Sequence, residues 1–455
     1  MINCTEKRIF VKIPLIMNTS LRAYLDAIRQ FPKLAMQSPQ QYFRRPGKDF
    51  TRTRILHLER VAWLNITLLK STLCVELDRF FDWLKAGEFS PTKSALVQAR
   101  QKLLPKFFKD MFLFSARLFY ECFKAKRWKG MRLWAADGTG FRLPDEEWLG
   151  EEFGWHGNQH NRVPSCRLLA YYDLLNQILT AAQFHTRYVA ETVVAQRSIA
   201  EIPRDVCTVY DRGHASHTIP FLHQHYGSHC IIRMPVGFSN TAKAFVASGK
   251  KEQIITERLS YKSRIVLNSL GLPVNAQTTI TYRLIRVILP TGEVEVLLTT
   301  LLDTKRFKRG YFSEIYRKRW GIETCFHVIK SFLELANFSA YTVNNCWQDI
   351  YAHFINYNIQ TALFTAKERE IKKVNKRRQH DYKPNRNVAA GLLKRFLVKI
   401  MLRPAKELKH WIKDFYRQII QTMEPIRPEK NKERRRRLMR GAERHIYEAN
   451  YRRAL

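Results

Sequence analysis

Three acids in a strongly basic chain have the types and placement to do chemistry together. Asp137 follows the apolar run RLWAA, Asp211 follows VCTVY, and Glu323 lies in the basic, aromatic stretch YRKRWGIETCFHVIK, Tyr316 to Lys330. An acid where an apolar strand leaves a sheet is at a common place for ligands and reactive groups in α/β folds. Asp residues at such points also make ordinary turns, so neither decides the matter alone. On a helical wheel, Tyr316, Arg319, Glu323 and Lys330 fall within roughly 60° of one another. Ile315, Ile322, Phe326, Ile329 and Leu333 form an adjoining apolar stripe. An ion pair between Arg319 and Glu323 would account for one pair in the polar stripe, but not for Tyr316 and Lys330. Three carboxylates suit Mg²⁺, a hard ion that prefers oxygen ligands and keeps several waters. Two such ions about 3.5–4 Å apart can clamp the attacking and leaving oxygens of a phosphodiester displacement. The flanking Arg, Lys and Tyr would hold the phosphates in register.

The bulk composition suits such a substrate. The 455 residues include 78 Lys and Arg against 40 Asp and Glu, a net charge of +38 and a pI near 10.1. Nucleic acid is the leading partner, because phosphate neutralisation releases counterions and dominates affinity. A membrane surface ranks second and a merely basic soluble protein third. Residues 367–455 alone hold 28 basic and 10 acidic residues, and the run KERRRRLMR at 432–440 reads as an exposed, DNA-contacting or simply solvated tail. No apolar run is long enough to span a membrane. The N-terminal MINCTEKRIFVKIPLIM is interrupted by Lys12 and makes a poor signal peptide. None of the eight cysteines is spaced as C-x-x-C, so neither a zinc knuckle nor a redox motif is expected. The chain reads as cytoplasmic, where disulfides are rare.

The length implies two to four domains. Residues 1–130 read as helical, with Ser90 as an N-cap and Pro91 at the first helical position. Lys93 and Arg100, seven apart, share one face there, either for DNA contact or as a solvated side of a structural helix. From 131 to 235 short strands alternate with helices: a strand running into an Asp-Gly turn at 137–138, two strands around a turn at Asn176, a helix at ETVVAQRSIAEI, and strands at DVCTVY and HCIIRMP. That mixed order argues for an α/β layer fold. Residues 236–305 read as β-rich, with a hairpin turning at 290–292. Helices return in 306–366, and 367–455 reads as a basic helical region. His156, His160 and Cys166 lie in a loop-like stretch and read as structural.

The spacing Tyr316-x2-Arg319-x3-Glu323-x6-Lys330 resembles the Y-R-E-K signature of bacterial insertion-sequence DDE transposases, the insertion-sequence-four family. Asp137 in AADGTG and Asp211 in VYDRG look like the family's first and second catalytic acids. The resemblance implies an RNase H-like catalytic core with a β-rich insertion, flanked by helical N-terminal and C-terminal regions. It implies two Mg²⁺ ions, replaceable by Mn²⁺, on Asp137, Asp211 and Glu323. Tyr316, Arg319, Lys330 and Arg212 would contact DNA. The implied reaction is metal-dependent cleavage at transposon ends, then attack of the freed 3′-OH on target DNA. The implied partners are the terminal inverted repeats and target DNA, held by a homodimer in the synaptic complex of a bacterial cell. Some relatives carry a Trp in the insertion that stabilises a flipped base. Residues 211–319 here contain none, which leaves Phe238 or Tyr261 as aromatic substitutes. Two other readings share these features: an RNase H-like nuclease without strand transfer, and a non-enzymatic DNA-binding protein. Intact carboxylates speak against the second, since without metal they repel phosphate.

Overall fold

The computed structural model describes residues 21–426, apart from 53, 86, 88, 158–161, 187, 236, 289–291 and 376–379. His160, the N-terminal apolar run, most of the 290–292 turn and the basic run at 432–440 lie outside the described residues. The chain forms two compact units, Met1–Lys124 with Asn344–Leu455, and Ala125–Val343.

The first unit is helical. Its helix Pro105–Cys122 starts with proline at the first helical position, where a missing N–H costs nothing, and buries Phe107, Phe108, Met111, Phe112 and Phe119. The helix Lys93–Gln101 is capped by Thr92, whose side chain accepts from the Ala95 N–H, so Ser90 is not the cap. Arg100 is neither a DNA-facing nor a solvated residue: it is 1% exposed and pairs with Asp349 at 2.8 Å. Asp349 belongs to the helix Val343–Ala366, which is buried over most of its length despite many polar residues. Several of their groups find partners: the Gln348 amide donates to the carbonyls of Arg100 and Leu103, both at 2.9 Å, and Asn356 donates to that of Ile66.

The second unit is built on one mixed sheet, which among the described residues has nine strands: β1 Arg132–Arg142, β2 Trp155–Gly157, β3 Arg162–Asp173, β4 Ile178–His185, β5 Val206–Tyr210, β6 His229–Met234, β7 Glu252–Arg258, β8 Thr279–Ile288 and β9 Val294–Thr299. β1, β5 and β6 are parallel neighbours. β3 pairs antiparallel with β1, and β4 with β3. On the other side, β9 pairs antiparallel with β6, followed by β8 and β7. The β-rich segment thus continues the same sheet. It also contains the helices Asn240–Ala247 and Tyr261–Ser269, each capped by a serine, Ser239 and Ser260.

Period-two alternation sorts the central strands onto two faces. Trp134, Ala136 and Tyr210 join one core, while Leu133, Cys207 and Val209 join another together with Phe312, Ile315 and Tyr316. The stretch around Tyr316 therefore packs on the face to which the odd-numbered residues of β1 and β5 point. Asp137 and Asp211 continue that odd series.

Candidate active site

β1 does not turn at Asp137-Gly138. It runs on to Arg142, because β3 pairs with it throughout: Asp137 lies opposite Ala170 and Gly138 opposite Leu169. Its parallel partner stops earlier, at the Ala136–Tyr210 pair. Asp137 is thus the first β1 residue beyond the end of β5, and Asp211 is the first residue after β5. Two acids far apart in sequence emerge at one sheet edge on one face.

The helix carrying the third acid is not continuous. It comprises Gly310–Lys318, a tightened step at Arg319, and Trp320–His327. At that step the Arg319 N–H bonds to the Tyr316 carbonyl and the Ile322 N–H to that of Arg319, three residues apart instead of four. Residues Val328–Phe332 then form a π turn, closed by the Leu333 N–H on the Val328 carbonyl. A wheel at constant angle therefore misplaces Lys330, which sits inside the wider turn. Its ammonium donates to the Gly140 carbonyl of β1 at 2.6 Å, and burial lowers its pKa. Tyr316 is buried in the core under the helix, with its phenol pKa raised by that burial.

Arg319 links the two elements. Its guanidinium donates to Asp137 Oδ2 at 3.1 Å and to Glu323 Oε1 at 3.0 Å. Its Nε is buried and has no hydrogen-bond partner among the described residues. Asp137 also accepts from the Gly138 N–H at 2.9 Å. Its carboxyl is pushed up to about 6, first by burial; Arg319 opposes the shift, and the charges of Asp211 and Glu191 add to it.

Asp211 accepts from the Gly213 N–H at 3.0 Å and from His214 Nδ1 at 2.7 Å, both through Oδ1. Burial would raise its pKa, but these bonds and the charges of His214 and Arg319 hold it below the usual range. His214 is 2% exposed, and its Nε2 lies 3.2 Å from Glu191 Oε1. Burial disfavours the imidazolium, but the two carboxylates outweigh it and push the pKa up to about 9. Arg212, between Asp211 and Gly213, is exposed.

Direct bonds thus connect Asp137, Arg319 and Glu323, with Tyr316 beneath, Lys330 tied to the same strand, and Asp211 close enough to shift Asp137. Glu191 and His214 escape sequence reasoning. The only trace of them is a histidine three residues after Asp211 in DRGH. His156 lies exposed on β2, opposite Val163, while Cys166 is buried on β3.

The oxygen-rich donor set fits a hard divalent cation. Among the described residues, however, no three His, Cys, Asp or Glu side chains converge closely enough to hold a metal. Arg319 stands between two of the acids.

Two acids at the end of a sheet, facing a third on a helix, make a donor set suited to phosphodiester chemistry. The family model of the transposase DDE domain matches residues 128–359. The chain belongs to this family: it is a DDE transposase, as the Y-R-E-K spacing led us to expect. It is 26% identical over 322 residues to the transposase InsG of insertion sequence element IS4 from Escherichia coli strain K12, covering 70% of this chain and 69% of that protein. A putative transposase InsZ of the same strain is 32% identical over 132 residues, 28% of this chain and 44% of that protein. Among solved structures, the piggyBac transposase in a synaptic complex with hairpin DNA aligns with a TM-score of 0.40 and 10% identity, covering 92% of this chain and 88% of that one. Among the described residues, no helix is long and apolar enough to cross a membrane.

Proposed function

We propose that the chain cuts DNA at the ends of its own insertion element and joins the freed 3′-OH to target DNA. The observation that carries this reading is the bridge from Arg319 to Asp137 and Glu323, which draws a β1 acid and a helix acid to one point beside Asp211. The strand order β4-β3-β1-β5-β6, with β1, β5 and β6 parallel and β3 and β4 antiparallel, supports an RNase H-like core. In this reading residues 131–235 and 306–343 are the two parts of that core, since 344–366 fold with the helical unit, and 236–305 is the β-rich insertion. Residues 1–130 bind DNA, and the basic region 367–455 adds contacts with the backbone.

Asp137, Asp211 and Glu323 are the carboxylates that would hold two Mg²⁺ ions, or Mn²⁺ in their place. Bound there, the ions supply Lewis-acid activation of the attacking oxygen and charge stabilisation at the leaving oxygen. Asp211 offers Oδ2, since Oδ1 is engaged by Gly213 and His214. Arg319 neutralises Asp137 and Glu323 in the metal-free chain and, once metal holds the acids, turns to a DNA phosphate, its planar fork suiting either anion. Lys330, held against β1, and exposed Arg212 flank the same edge and pair with backbone phosphates. Tyr316 supports Arg319 from below. Two copies, one for each transposon end, form the working assembly in the bacterial cytoplasm.

Asp211→Ala tests the assignment. It retains DNA binding in a gel-shift assay but loses Mg²⁺-dependent cleavage. Cleavage equal to the unaltered chain would remove Asp211 from the site.

A further inference from the structure

A buried imidazole, that of His214, lies between two carboxylates beside the site. His214 packs under Asp211 with its ring 5.3 Å from that of Tyr210. One nitrogen binds Asp211 Oδ1 at 2.7 Å, and the other faces Glu191 Oε1 at 3.2 Å. Glu191 begins the helix Glu191–Ser198, and its carboxylate lies over β1 at Gly138. A Cβ at position 138 would stand 1.7 Å from Glu191 Oε2. This explains the glycine after Asp137 in a strand that does not turn there: it clears room for a carboxylate from another element.

We propose that His214 and Glu191 are positioning residues that fix the carboxylate of Asp211 so that Oδ2 alone faces the metal. The inference rests on Asp211 being a metal ligand. Ligating carboxylates are themselves hydrogen-bonded, and losing such an outer partner commonly weakens metal binding by roughly 10–100-fold. Without the imidazole, Asp211 keeps only the Gly213 N–H and is free to rotate. Without Glu191, the imidazole loses the group that faces its far side and orients its ring.

The test is Mn²⁺ binding to the full-length, DNA-free chain, followed by the loss of the free-ion paramagnetic resonance signal. His214→Ala weakens Mn²⁺ by roughly 10–100-fold. His214→Asn, whose amide can still donate toward Asp211 Oδ1, recovers most of that loss. Glu191→Ala and Gly138→Ala each lose about tenfold, the latter because the new methyl displaces Glu191. Metal-free DNA binding stays unchanged in all four, which a general loss of structure would not allow. Should His214→Ala fail to fold by circular dichroism, Glu191→Ala carries the test, since it leaves the imidazole in place. Folded variants that bind Mn²⁺ as tightly as the unaltered chain overturn the inference. The control Asp211→Ala separates the two levels. If it too binds Mn²⁺ normally, the metal-site reading has failed; if it alone loses Mn²⁺, only the roles of His214 and Glu191 have.

Discussion

Arg319 Nη1 lies 3.1 Å from Asp137 Oδ2, joining residues 182 positions apart in the chain. The same guanidinium reaches Glu323, four residues on. One cation thus offsets the two acids proposed to hold a divalent ion, and would compete with it for them.

Arg319→Ala should therefore separate metal binding from catalysis. Removing the guanidinium leaves Asp137 and Glu323 open, so Mn²⁺ binds at least as tightly as before. Cleavage falls by about 100-fold or more, the usual loss when a charge-stabilising donor is removed. A Mn²⁺ titration beside a rate measurement checks both halves. Weaker metal binding in the variant would mean that Arg319 supports the site rather than competing for it.

The second prediction concerns pH. Asp137 titrates at about 6 in the folded chain, above its ordinary 3.8. A raised folded pKa stabilises the protonated form, so this group's contribution is fully present below about pH 4 and is lost as pH rises through 6. Metal binding runs the other way, because the ligand must lose its proton. Below pH 6, Mn²⁺ affinity drops by about tenfold per pH unit for a single competing proton. Asp137→Asn removes that dependence along with most of the binding. A pH-independent affinity between 5 and 7 in the unaltered chain would contradict the assignment.

Arg100→Ala tests the helical unit. It removes the Arg100 guanidinium from Asp349, which is 6% exposed. Removing one partner of a buried pair costs about 3–5 kcal/mol. Denaturant unfolding should show that loss, while DNA binding by the folded fraction is retained. Lost DNA binding with unchanged stability would restore Arg100 as a contact residue.

Local signals were legible and long-range ones were not. The strands at Val206–Tyr210 and His229–Met234 and the hairpin at 279–299 follow from runs of apolar residues bounded by turn formers. The Asp137-Gly138 pair misleads because Asp-Gly favours turns in isolation, and only pairing with Leu169 of β3 holds Gly138 extended. Thr92 wins the cap over Ser90 by a bond to Ala95 that both residue types could make. Arg100 looked like a surface residue because its partner lies 249 positions away. The tightened step at Arg319 and the π turn at Val328–Phe332 also leave no mark in the spacing. The Y-R-E-K residues could be found from sequence, but the bridge to Asp137 and the Asp211–His214–Glu191 chain could not.

The most direct test is to map cleavage on DNA carrying the element's own ends, with Mg²⁺ present, for the unaltered chain and for Glu323→Gln. The account predicts cuts at the element boundary by the unaltered chain, and none by Glu323→Gln despite normal DNA binding. Cuts scattered without regard to the boundary, or boundary cuts that persist in Glu323→Gln, would contradict it.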